Sequence, residues 1–118
     1  MPWEVELIDA TKDWYLSLSV EDQRRIAVTI DRLSEIGPGL RRPDVGAIRA
    51  SRHPNMRELR SFGGNLRVLF AFDPRRTAIL LVGGNKTKDW TGWYDRNVPI
   101  ADDRYDEYLA EIRTEGLI

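Results

Sequence analysis

Apolar Trp3, Val5 and Leu7 alternate with Glu4 and Glu6, the two-residue period of a short strand. Asp9 is placed to cap a short helix over 10–18 that turns Trp14 and Leu18 to one side. A longer helix follows. Ser19 is a favourable N-cap, Glu21 and Asp22 complement the dipole of the first turn, and Ile26, Ala27, Ile30 and Leu33 form an apolar stripe. Gly37-Pro38-Gly39 stops this helix, and Arg41-Arg42-Pro43 opens a loop. Residues 56–62, 66–73 and 77–83 then predict three consecutive antiparallel strands. Gly63-Gly64 makes a tight first hairpin, and Asp73-Pro74-Arg75-Arg76 turns the second. Pro99 introduces a last helix with Ala101, Tyr105, Tyr108, Leu109 and Ile112 on one face and Asp103, Asp106, Glu107 and Glu111 on the other. The pattern predicts an α+β fold over 1–118 as one domain. A small antiparallel β-sheet would carry the N-terminal helices and the C-terminal helix packed on one face.

Composition changes this picture little, but charge changes it a great deal. The 118 residues are 42% hydrophobic and 31% charged, enough apolar mass for a core without disulfides or metals. There is no cysteine, which excludes thiol catalysis and Cys-ligated zinc. Met1-Pro2-Trp3-Glu4 lacks a basic, then apolar, leader pattern, and no apolar run is longer than Val68–Phe72 and Ala78–Val82. The expectation is therefore a cytoplasmic protein with no membrane span. The net charge of −1 conceals a segregation. Residues 1–36 carry −4, residues 37–88 carry +8 and residues 89–118 carry −5. Nine arginines and two lysines against three acids make the middle segment a candidate polyanion-binding face.

The hairpin locates these charges. With Gly63-Gly64 as a two-residue turn, Leu59 opposes Val68 and Arg57 opposes Phe70, whereas Arg60 falls opposite Arg67 on the other face. A like-charged cross-strand pair is mildly destabilising, and an anion held between the two would relieve it. The third strand returns Gly83-Gly84-Asn85-Lys86 to the same end, where the glycine N–H groups are candidates to meet a phosphate. His53, Arg75 and Arg76 belong to the far end, about 20 Å away.

No Ser-His-Asp set, carboxylate dyad or metal-ligand cluster stands at recognisable spacing, and no cofactor is implied. Fixed positive charge suits RNA cleavage by 2′-hydroxyl attack, which builds negative charge on phosphoryl oxygens. Arg60, Arg67, Lys86 and Tyr94 are the candidate catalytic residues. Lys86 or Tyr94 would move the protons, because neighbouring arginines favour neutral lysine and ionised tyrosine. Arg57, Arg75, Arg76, Lys88 and His53 are candidate RNA contacts, and Trp90 and Trp93 are candidate base platforms.

Five blocks now stand in order: Met56-Arg57-Glu58-Leu59-Arg60, Asn65-Leu66-Arg67-Val68-Leu69-Phe70-Ala71, Gly84-Asn85-Lys86-Thr87, Trp93-Tyr94, and Ile100-Ala101-Asp102 leading to Tyr105 and Leu109. This order resembles the RelE/ParE toxin superfamily, most closely its HigB-like branch of phage-derived toxins. The resemblance implies a bacterial toxin, an endoribonuclease that cuts messenger RNA on the ribosome. It implies a helix-turn-helix antitoxin as partner and operator DNA bound only through that antitoxin. It places Arg60, Arg67, Lys86 and Tyr94 at the catalytic centre. Two other readings stay open at this stage: a ParE-like toxin that inhibits DNA gyrase, and a non-catalytic copy that keeps only antitoxin binding and co-repression.

Overall fold

The computed structural model describes residues 2–87 and 92–118. In chain order its elements are β1 (Val5–Leu7), α1 (Asp9–Ser17), α2 (Val20–Ile36), a 3-10 turn (Gly37–Gly39), β2 (Val45–Ala47), β3 (Arg57–Arg60), β4 (Leu66–Phe72), β5 (Ala78–Asn85) and α3 (Gly92–Thr114). Ser19 caps α2 as expected, its Oγ accepting from the Asp22 N–H at 3.1 Å. The predicted hairpin register is also present: Arg57 faces Phe70, Leu59 faces Val68 and Arg60 faces Arg67.

The sheet is larger than the three predicted strands. Its order is β1-β5-β4-β3-β2. β1 joins β5 in parallel, and β2, which lies inside the predicted loop, pairs antiparallel with β3. The α+β class holds, but the helices do not share one face. Ile26 and Leu33 of α2 and Trp14 of α1 pack with Leu59, Val68, Phe70 and Leu80. Val98, Ala101 and Tyr105 of α3 pack with Leu69, Ala71, Ile79 and Leu81 on the opposite side. The reason lies in β4 and β5, whose apolar side chains run almost without interruption, so both pleat faces need cover. α3 also begins before Pro99, which sits inside the helix rather than at its start. The turn ahead of it is retained because Trp93 and Val98 are buried there.

Gly83 and Gly84 explain how two helices close on one strand. A Cβ on Gly83 would run into the Trp14 indole, and one on Gly84 into the Trp93 indole. The glycines thus serve close packing of tryptophan on both sides. We predict that Gly83→Ala and Gly84→Ala each cost about 1–3 kcal/mol by overpacking. Gly39→Ala, where the new methyl meets only Ile36 at ordinary distance, should stay within about 0.5 kcal/mol. Urea unfolding of the three variants reads the difference.

Candidate functional site

Strand alternation puts Glu58 and Arg60 on the α3 side of β3. Register sets Arg67 of β4 opposite Arg60, with Gly84 of β5 opposite Arg67. Lys86 follows the end of β5, and the first turn of α3 supplies Tyr94. Four elements thus bring Arg60, Arg67, Lys86 and Tyr94 to one end of the sheet.

At their centre lies Glu58 of β3. Glu58 is 3% exposed. Its carboxylate accepts a short hydrogen bond from the Tyr94 hydroxyl. It lies 3.4 Å from Arg60 Nη2 and 3.1 Å from Arg67 Nε. The Arg67 contact is an ion pair without hydrogen-bond alignment. Among the described residues the Nε–H groups of both Arg60 and Arg67 are buried and donate to no acceptor. Lys86, 5% exposed, donates to the Tyr94 hydroxyl at 3.3 Å. Among the described residues, three cations and one carboxylate meet here.

These surroundings push the two proton-carrying groups apart. Burial lowers the Lys86 pKa, and the Arg67 charge adds to the fall, as the sequence led us to expect. Tyr94 moves the other way. Burial and the hydrogen bond to Glu58 raise it to about 12, outweighing the arginines. Its hydroxyl is therefore a neutral donor near pH 7, and the expectation of ionised tyrosine is corrected.

The remaining candidates separate. Trp93 is 5% exposed and belongs to the α3 core, so it offers no free face to a base. Lys88 and Trp90 lie outside the described residues. Arg75 is held by Asp73 at 2.9 Å and by the Tyr108 hydroxyl, at the far end of β4. Arg76 is exposed beside it in a left-handed turn conformation, φ 64°. His53 Nε2 meets Asp106 at 2.8 Å and its ring stands edge-on to Tyr105, which fixes it as an anchor between loop and α3. Arg57 turns to the α2 side, donating to the Pro38 carbonyl at 3.2 Å.

Residues 13–106 match the family described as phage-derived protein Gp49-like (DUF891). The chain belongs to this family. Two Mycobacterium tuberculosis relatives of this Gp49-like protein carry the toxin names HigB3 and HigB2. The first is 44% identical over 106 residues, covering 90% of this chain and 93% of the relative. The second is 45% identical over 111 residues, covering 92% of this chain and 54% of the relative. Among solved structures, the archaeal RelE–RelB complex from Pyrococcus horikoshii contains a chain matching at TM-score 0.57 and 19% identity. The match covers 75% of this chain and 99% of that one. A double arginine-to-alanine mutant of E. coli toxin RelE in its free state matches at TM-score 0.61 and 9% identity, covering 84% and 97%. The fold is RelE-like, and the sequence falls in the HigB branch.

The Tyr94 assignment has a spectroscopic consequence. Tyrosinate absorbance followed against pH should contain components near pH 12 from Tyr94 and Tyr108. Tyr94→Phe should remove one of them and leave the other. Because the folded value is raised, the stability that Tyr94 contributes is complete below about pH 10 and is lost as pH climbs through about 12.

Proposed function

We propose that this protein is the toxin of a type II toxin–antitoxin pair. It acts in the cytoplasm as a metal-independent endoribonuclease on ribosome-bound messenger RNA. A helix-turn-helix antitoxin holds it inactive and carries it to operator DNA. Family membership, the toxin names of its relatives and the RelE-like fold support the toxin reading. The antitoxin reading draws on the RelE–RelB neighbour. One observation carries the nuclease reading: Arg60 and Arg67 face each other with buried Nε–H donors that no described protein acceptor uses. Phosphoryl oxygens are the acceptors such a pair fits.

In this reading the scissile phosphate enters beside Arg60, whose side chain is 31% exposed, and takes the guanidinium contacts that Glu58 holds at rest. The released carboxylate accepts the 2′-hydroxyl proton. The O2′–P bond forms, the P–O5′ bond breaks, and Lys86 gives its proton to the departing 5′-oxygen. The lowered Lys86 pKa makes that transfer easier. Arg60 and Arg67 offset the charge growing on the non-bridging oxygens. Tyr94 stays neutral and positions Glu58 and Lys86. The products are a 2′,3′-cyclic phosphate and a 5′-hydroxyl. The positive charge that a divalent ion would bring is already supplied by side chains. Among the described residues no three His, Asp or Glu side chains converge as a metal site.

Arg67→Ala and Lys86→Ala should each lower cleavage by about 10²–10³-fold and relieve growth arrest on induction, with thermal unfolding still cooperative. Glu58→Gln, which keeps shape but not basicity, should lower cleavage comparably. Mapping messenger 5′ ends after brief induction reads all of this. Full toxicity in both alanine variants defeats the assignment. A rise in DNA-damage signalling before translation falls would point to gyrase instead.

A further inference from the structure

Of the nine arginines of the basic segment, four, Arg52, Arg60, Arg67 and Arg75, meet carboxylates. Five, Arg41, Arg42, Arg49, Arg57 and Arg76, meet none among the described residues. Of these five, Arg41, Arg42 and Arg57 line one open groove of about 520 Å³. No acidic side chain lines it. The groove follows β2, the free edge of the sheet. Ile48 N–H donates to Met56, and Arg60 N–H to Asp44, so the bonded pairs of this ladder fall at even positions of β2. The Ala47 N–H therefore points outward, into the groove.

Gly46 joins this groove to the centre already described. It pairs with Glu58, and a Cβ there would come within 2.9 Å of Arg60 Nη2 and 3.4 Å of Glu58 Oε2. Bare backbone, not a side-chain wall, separates the two regions. We propose that the β2 groove is a second phosphate-binding subsite, in which Arg41, Arg42 and Arg57 hold the RNA backbone next to the nucleotide bound at Arg60 and Arg67. The inference rests on the nuclease reading for its ligand. Charge complementarity selects a polyanion, and continuity with the Arg60 rim selects RNA over an acidic peptide. Guanidinium forks and the Ala47 N–H suit phosphate oxygens, while the outward Val45 and Ala47 carbonyls can accept from base amino groups.

The test uses 2′-O-methyl oligouridylate, which carries every phosphate but lacks the attacking hydroxyl, so that binding is read apart from cleavage. Fluorescence anisotropy of the full chain is measured against salt. Replacing both Arg41→Ala and Arg42→Ala should weaken binding about tenfold at low salt and make the log–log salt slope shallower by about 1.4. The 2′-O-methylated UpU dinucleotide, whose single phosphodiester fits the centre alone, should bind unchanged. Arg41→Lys with Arg42→Lys, which keeps charge without the fork, should restore most of the salt slope. Unaltered affinity and slope in the alanine pair would overturn the subsite, whatever the fate of the cleavage assay. Equally effective displacement of the RNA by a polyglutamate of matched charge would overturn RNA as its occupant.

Discussion

Three cationic side chains crowded at the end of a sheet repel one another, and burial strengthens that repulsion by lowering the dielectric around them. Glu58 makes the arrangement tolerable. One carboxylate, almost wholly buried, faces Arg60, Arg67 and the Tyr94 hydroxyl together. A charge removed from water without such partners costs several kcal/mol, so the four groups stand or fall together. Among the described residues, the Nε–H groups of Arg60 and Arg67 find no acceptor. A site built this way is stable while empty, and on the proposed nuclease reading a phosphate would take the place of the carboxylate.

The tryptophan–glycine contacts on β5 hold these groups in register. Trp14 from α1 and Trp93 from α3 press on consecutive glycines from opposite sides of the sheet. Trp93 directly precedes Tyr94, so seating its indole on Gly84 also sets the hydroxyl toward Glu58. Lys86 lies two residues beyond Gly84, just past the end of the same strand. A packing contact in the core therefore fixes the distance between the proton-carrying groups of the centre. At the other end of α3, Asp102, Asp103 and Asp106 bind Arg52, and Asp106 also binds His53. Part of the acidic face of α3, Asp103 and Asp106, thus ties down the loop between β2 and β3.

Local chemistry was legible and distant pairing was not. Gly63-Gly64 dictated the β3–β4 register, and through it the Arg60–Arg67 pair, from residues a few positions apart. β2 was hidden because Val45-Gly46-Ala47 is too short to display alternation. The parallel seat of β1 on β5 joins residues more than seventy positions apart, for which no local pattern exists. Two-sided burial did leave a trace in the continuous apolar runs of β4 and β5, a mark of strands covered on both faces. Glu58 was also within reach, since it shares a strand face with Arg60. Its depth was not, because burial there depends on α3, whose first turns lie on the wrong side of Pro99 for a proline-start rule. Trp93 was misjudged for the same reason: an aromatic in a polar stretch looks exposed until the helix carrying it is placed.

The segregated charges also bear on how a polyanion can approach. α3 covers the sheet face that carries Glu58, Arg60 and Arg67, and Asp95, Asp103, Glu107 and Glu111 on its exposed side repel phosphate. Within about 10 Å, a Debye length at moderate salt, such repulsion disfavours a path across the helix. The β2 edge presents the opposite sign, with Arg41 and Arg42 exposed and Gly46 bare beside Arg60. On the proposed reading, an RNA strand steered by these fields would meet the edge first and reach the paired arginines from that side. The acidic helix would then disfavour the other approach, so a protein of almost neutral total charge could orient a polyanion that its net charge alone would not attract.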